Sequence, residues 1–299
     1  MREIRKAITN IINKESTNDN IYILLSAGID SQSVLFSCLE LNKKVFIVSF
    51  TREDHESRDF KCAREISKQL SLDFIPVYIP IDLTNITDKI LLLSNKFECK
   101  LKTDYECMYP MLFAYNEIEK HAKLNNIKEI NVTSGLGADI YYLLSKKAAV
   151  HYKNKEDEYR DLLYFNPNYS QRSKHEKYCD ERGINHIMPY FTDEVYNIFK
   201  GTTKKEINTP KEKNDVRDQY KNEIIDNLLF KHTSFHKGDS FISDIFTILL
   251  DSEWNIKEFK SVTGIYNAVS KNIINEPIIS NSKNDIRNNI FGTFIIQKQ

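Results

Sequence analysis

The chain has 299 residues, 41% of them hydrophobic, which is enough to bury a sizeable core in one large domain or two smaller ones. Its 42 basic and 42 acidic residues cancel, so no global field draws it to nucleic acid. From five scattered cysteines without a CxxC pair, a first segment without an apolar run and no stretch long enough to cross a membrane, we expect no disulfide framework, zinc ribbon, signal peptide or spanning helix; the expected compartment is the cytoplasm.

In chain order, residues 2–14 place Ile4, Ala7, Ile8, Ile11 and Ile12 at helical spacing. "NIYILLS" (20–26) reads as a buried strand, and "SVLFSCLELN" (33–42) as the helix after a turn. "KVFIVSF" (44–50) is a second strand, followed by a helix over 56–72 with Phe60, Ala63, Ile66 and Leu70 inward. "DFIPVYIPI" (73–81) is a third strand, kept to an edge by Pro76 and Pro80. Residues 108–126 are helical, and "EINVTSGLGADIYYLL" (129–144) is a strand that breaks at glycines. Strands alternating with helices predict an α/β fold, a doubly wound parallel sheet with helices on both faces. Apolar residues at helical spacing over 239–259 add a helical carboxyl-terminal portion. With no repeat or low-complexity linker, residues 1–299 read as a single domain: a nucleotide-binding core over about 20–145 and a mainly helical portion over about 146–299.

Parallel sheets of this kind bind ligands beyond the carboxyl ends of their strands, and both glycine breaks, "SAGIDS" and "SGLGAD", fall there. In the first, Ala27 and Gly28 let backbone approach a ligand closely, Ser26 and Ser31 offer hydroxyls, and the helix beginning near Ser31 turns its amides toward an anion. Asp30 would repel a bare phosphate, which makes sense with a magnesium ion between them. The second break repeats the pattern with Ser134, Gly135, Gly137 and Asp139. Either motif alone is also an ordinary helix cap, but two in equivalent positions favour a polyphosphate site with magnesium shared by two aspartates. Neither is a Walker A loop or a GxGxxG turn.

"LSAGIDSQS" resembles the SGGxDS signature of the PP-loop ATP pyrophosphatases, with Ala27 in place of one glycine. "SGLGAD" resembles the SGxGxD signature of one branch, the asparagine synthetase carboxyl-terminal domains, which also include β-lactam synthetases and lasso-peptide cyclases. Residues 49–70, "HIMPYFTDEVYNIF" (186–199), "KNDVRDQYKNEI" (213–224) and "SFHKGDSF" (234–241) resemble further segments of that family, so the likeness runs from about residue 20 to 245. It implies a PP-loop, HUP-like fold. It also implies a reaction using ATP and Mg: adenylation of a small-molecule or peptide carboxylate, release of pyrophosphate, and attack by an amine to give an amide. By the same likeness Ser26, Gly28, Asp30 and Ser31 hold pyrophosphate, and Asp30 and Asp139 bind magnesium. Ser134 and Gly135 lie against the nucleoside, Leu25 and Thr51 or Arg52 flank the adenine, and Lys237 neutralises charge on the α-phosphate.

Three departures stand out. No glutaminase is expected ahead of the PP-loop, and Arg2 stands where one would carry its nucleophilic cysteine, so the amine comes from solution, a separate supplier or the substrate. The position between the two glycines, Glu or Tyr in those relatives, is Leu136, and the acid after the motif aspartate is Ile140. Two rival readings stay open: a PP-loop enzyme adenylating a nucleobase in RNA, and a catalytically silent nucleotide-binding protein.

Overall fold

A computed structural model describes residues 3–80, 86–99, 102–166, 171–225, 228 and 240–243. The chain folds as two compact units. One gathers the described parts of Met1–Ser49, Asp59–Ile75 and Ile118–His232; the other gathers those of Phe50–Arg58, Pro76–Glu117 and Thr233–Gln299.

The elements run α1 (Ile4–Glu15), β1 (Asn20–Leu24), α2 (Ile29–Glu40), β2 (Lys44–Arg52), α3 (Arg58–Leu70), β3 (Asp73–Ile79), α4 (Ile86–Asn95), α5 (Lys102–Leu124) and β4 (Ile130–Ser134). They continue with α6 (Asp139–Tyr142), α7 (Lys146–His151), α8 (Glu156–Tyr164), α9 (Arg172–Asp180) and β5 (Ile184–Ile187). After a 3-10 turn at Pro189–Phe191 come α10 (Asp193–Phe199), α11 (Lys204–Ile207) and α12 (Asn214–Gln219). Among the described residues the strands form one five-stranded sheet in the order β3-β2-β1-β4-β5. β1 pairs in parallel with β2 on one side and β4 on the other, and β4 pairs in parallel with β5. The α/β class with a parallel sheet and helices around it is the predicted one. β3 lies at the edge, where Pro76 is exposed and costs the ladder no donor.

The strand order reverses at β1: the chain winds outward through β2 and β3, then crosses back to β4 on the other side. The loops that leave β1 and β4 therefore emerge side by side at the carboxyl end of the sheet, the crevice position of doubly wound folds. Both strands are buried on both faces, with Ile21, Tyr22, Ile23 and Val132 excluded from water, so the loops spring from a rigid base. The helix after β1 starts at Ile29, earlier than the apolar pattern suggests, which puts Asp30 and Ser31 inside its first turn. Residues 146–219 are mainly helical as expected, with β5 among them; "DSFISDIFTILLDSEWNIKEF" beyond Ser243 and the tail "NNIFGTFIIQKQ" lie outside the described residues. None of the five cysteines is in a disulfide, and among the described residues no helix is long and apolar enough to cross a membrane.

Candidate active site

The first glycine loop ends β1 with Leu25, whose backbone N–H donates to Val48 at 2.9 Å and whose side chain is buried. The chain then turns through Ala27 in the left-handed region (φ 58), a conformation a Cβ resists and glycine adopts freely. This is the physical meaning of the glycine that the signature places there. The turn is held by Gln32, fully buried, whose Nε2 donates to the Ala27 carbonyl at 2.9 Å while its Oε1 accepts from the Ile225 amide at 3.1 Å.

Gly28 is the N-cap of α2, with no side chain capping the helix. Ser31 Oγ instead donates to the Gly28 carbonyl at 2.9 Å and lies 3.4 Å from Ser26 Oγ. The N-cap therefore has no side-chain capping bond of the ordinary kind, and Ser31 instead closes onto the N-cap carbonyl. The first-turn amides, which an α-helix leaves without intrahelical acceptors, face the loop with the positive end of the dipole.

The second loop meets the first. A Cβ on Gly135 would sit 2.8 Å from the Asp30 carbonyl carbon and 2.8 Å from the Ser31 nitrogen, so only glycine lets the two backbones touch. Gly137 has φ +93, and its absent Cβ would strike the ring of Phe191 at 2.7 Å. Ser134 is buried at the end of β4, its Oγ 3.4 Å from His186 Nε2 and 3.4 Å from the Leu136 amide. His186 faces His175 with ring centroids 5.5 Å apart. Burial pushes His186 down to about 4 and holds His175 well below the usual imidazole range.

Asp30 and Asp139 converge on Lys213, the first residue of the "KNDVRDQYKNEI" segment, to which the sequence assigned no site role. Lys213 Nζ donates to Asp30 Oδ2 and, at 3.1 Å, to Asp139 Oδ1, and it stands 5.0 Å above the ring of Tyr142. Burial alone would depress this ammonium, yet the charges of Asp30 and Asp139 overcome it and its pKa is raised. Asp30 is half-buried and Asp139 exposed, with 20% and 67% of their side-chain surfaces accessible. Beneath them Ser33 Oγ donates to the Asp30 carbonyl at 2.7 Å and pairs with the Tyr190 hydroxyl at 2.8 Å. Tyr142 and Tyr190 are held well above the usual phenol pKa, by burial first, with the charge of Asp30 adding to it.

The donor set fits magnesium and a polyphosphate. Two carboxylates reach one point, and a single ammonium leaves the trio one negative charge in excess. Among the described residues no group of three or more His, Cys, Asp and Glu gathers as a metal set. A magnesium ion would therefore rest on Asp30 and Asp139 plus phosphate oxygens and water, its ordinary way of binding.

The predicted residues Leu25, Ser26, Gly28, Asp30, Ser31, Ser134, Gly135 and Asp139 are thus brought together by the two loops. Arg52 belongs to the other unit, where its guanidinium forks onto Asp54 at 2.9 and 2.5 Å. Lys237 lies outside the described residues. Ile140, expected to be an acid in the resembling family, is fully buried in the core, and Leu136 packs against that core half-buried, so both serve packing. Sequence reasoning missed Gln32 and gave Lys213 no role of its own, while Tyr142 was considered only, with Tyr141 and Glu181, as a polar group in place of the acid absent at Ile140. The one available signal was the K-x-x-V-R spacing of Lys213 and Arg217, read only as part of a helix.

Residues 20–116 match a family model described as "Queuosine biosynthesis protein QueC". The match takes in the first glycine loop but not Ser134, Gly135, Asp139 or Lys213. It supports the PP-loop ATP pyrophosphatases for that segment and does not single out the asparagine-synthetase branch. No curated protein matches the chain. Among solved structures, the NH3-dependent NAD synthetase from Campylobacter jejuni subsp. jejuni NCTC 11168, in complex with the nitrate ion, is 12% identical. That alignment covers 78% of this chain and 96% of that one, with a TM-score of 0.31.

Proposed function

We propose that the chain is an ATP- and Mg-dependent enzyme that adenylates a carboxylate, releases pyrophosphate and passes the acyl group to an amine, forming an amide. The observation that carries this reading is the meeting of two glycine loops at adjacent strand ends, with Asp30 and Asp139 turned onto one cation. In the first step a substrate carboxylate oxygen attacks the α-phosphorus and the bond to the β-phosphate oxygen breaks. In the second the amine nitrogen attacks the acyl carbon and AMP leaves. Magnesium, when bound, would draw charge from the phosphate oxygens between Asp30 and Asp139.

The chain's own part is binding and charge. The first-turn amides of α2 and the hydroxyls of Ser26 and Ser31 hold the departing pyrophosphate, and Lys213 supplies it a fixed positive charge. Ser134 and Gly135 lie against the nucleoside, and Leu25 borders the adenine. The amine is free ammonia, a product of a separate supplier or a group on the substrate itself.

A second reading, adenylation of a nucleobase carbonyl, draws support from the match of residues 20–116 to a family named for queuosine biosynthesis, queuosine being a nucleoside. One experiment separates the two. ATP–pyrophosphate exchange is measured with labelled pyrophosphate against pools of carboxylic acids and, separately, nucleobases and RNA, with and without magnesium. Exchange that needs magnesium and a carboxylate establishes the first reading. Exchange driven only by the nucleobase or RNA pool establishes the second, and ATP binding without exchange in any pool refutes both.

A further inference from the structure

The two carboxylates available to a metal ion are already engaged by a cation that the chain itself supplies. Lys213 is buried, 9% accessible, and is held in place by more than its charge. Its backbone sits in the left-handed region at φ 58, its amide donates to Asn208 Oδ1 at 3.0 Å, and Asn208 Nδ2 donates in turn to the Tyr142 carbonyl at 2.9 Å. The ring of that same Tyr142 lies under the ammonium. Backbone, amide clamp and aromatic face thus aim one ammonium at the point between Asp30 and Asp139.

We propose that Lys213 is a built-in counter-cation that keeps this carboxylate pair closed to divalent ions until a polyphosphate arrives. The proposal rests on the reading of the two loops as a polyphosphate site. A divalent ion arriving alone must take oxygens that Lys213 occupies, and it would strand a buried ammonium over an aromatic ring with no acceptor, an expensive state. A polyphosphate removes that obstacle, since its oxygens accept from the displaced ammonium and complete the shell of the metal. Metal and polyphosphate then bind cooperatively, each raising the affinity of the other by the same factor, and the coupling passes through Lys213.

The test uses the full chain, Mn²⁺ read by electron paramagnetic resonance, and inorganic pyrophosphate as the second probe. Wild type should bind Mn²⁺ at this site only when pyrophosphate is present. Lys213→Met should bind Mn²⁺ alone at least tenfold more tightly than wild type, with the coupling to pyrophosphate collapsed; Lys213→Arg, which keeps the charge, should stay closed. Asp30→Asn added to Lys213→Met should abolish the gain, locating it. Wild type binding Mn²⁺ alone as tightly as with pyrophosphate overturns the proposal, whatever the variants do. So does a folded Lys213→Met, or Lys213→Gln should the methionine variant not fold, without gain. Failure of wild type to bind pyrophosphate under any condition defeats the polyphosphate reading, while a Mn²⁺ gain in Lys213→Met would still uphold the counter-cation role.

Discussion

Replacing Gly135 by alanine tests the contact on which the site depends. The new methyl would lie 2.8 Å from the Asp30 carbonyl carbon, 2.8 Å from the Ser31 nitrogen and 3.0 Å from Asp30 Cβ. That is about 0.7 Å inside the ~3.5 Å at which carbon atoms first attract. Both neighbours are backbone at the start of α2, so no flexible side chain can give way. Gly135 is not among the glycines with positive φ, so alanine suffers no conformational penalty and the cost is steric. Overpacking of this kind costs about 1–3 kcal/mol, and the loss of chain freedom in the unfolded state returns roughly 0.4–1 kcal/mol. A net loss near 1–2 kcal/mol should lower the melting temperature by roughly 2–3 °C in a chain of this length. The larger effect falls on ligand: displacing Asp30 and Ser31 by half an ångström or more should weaken nucleotide binding about tenfold or worse, as sub-ångström misplacement does in positioned sites. Gly183→Ala is the matched control, since Gly183 has φ +66 with nothing within 4 Å. It should cost about 1 kcal/mol of backbone strain and leave nucleotide affinity alone. A Gly135→Ala protein with wild-type melting and wild-type affinity would refute the claim that the loops touch.

The two aspartates should part company in stability. Asp30→Asn leaves the buried Lys213 ammonium facing a neutral, half-buried partner and should cost about 2–4 kcal/mol, whereas exposed Asp139→Asn should cost ~1 kcal/mol or less; both should lose magnesium-dependent turnover, and full activity in either removes that residue from the site. Ala27→Gly exchanges a strained methyl for a freer unfolded chain and should shift stability by no more than about 1 kcal/mol. Ala27→Val, a branched side chain at φ 58, should cost more than about 2 kcal/mol, and equal melting of the two would refute the left-handed turn. His186 should make the fold acid-sensitive. Burial lowers its pKa from 6.5 to about 4, so the unfolded chain binds more protons in that window and stability falls as pH drops through it. The loss attributable to this half-buried ring is about 1–3 kcal/mol. His186→Asn should reduce the slope of melting temperature against pH between 4 and 6.5 without abolishing it, because His175 titrates low beside it; an unchanged slope would refute the assignment.

What the sequence reveals and what it hides divide along the range of the interactions. Strands β1 and β2 are short apolar runs, and β3 betrays its edge position through Pro76 and alternating burial, all within a few residues. The two glycine loops are legible for a related reason: each must turn sharply at a strand end, and the residues that permit the turn sit beside those that serve the ligand. Even here local pattern misleads by a few residues, since α2 begins at Ile29 before any apolar periodicity. Helix α4 went unread although Ile86, Ile90 and Leu93 fall at helical spacing, and β5 because "INHI" is too short to show alternation.

Lys213 was hidden for a deeper reason. It reaches Asp30 across 183 residues and Asp139 across 74, and no spacing rule relates positions that only the completed sheet brings together. In a chain with 42 lysines and arginines, a single buried ammonium has no compositional mark. Its local surroundings, "KEKNDVR", look like a solvated helix face; the K-x-x-V-R spacing names no partner, and the left-handed backbone and Asn208 clamp that aim Lys213 are consequences of folding. Gln32 is similar: within α2 it is one polar residue among apolar ones, yet it joins the strained Ala27 turn to the Ile225 amide across 193 residues. Gln32 and Lys213 share a logic. Each ties a glycine loop to the segment between Asn208 and Ile225, so the geometry of the phosphate turn and the charge between its aspartates depend on one stretch of chain. A substitution there that touches neither loop should alter both.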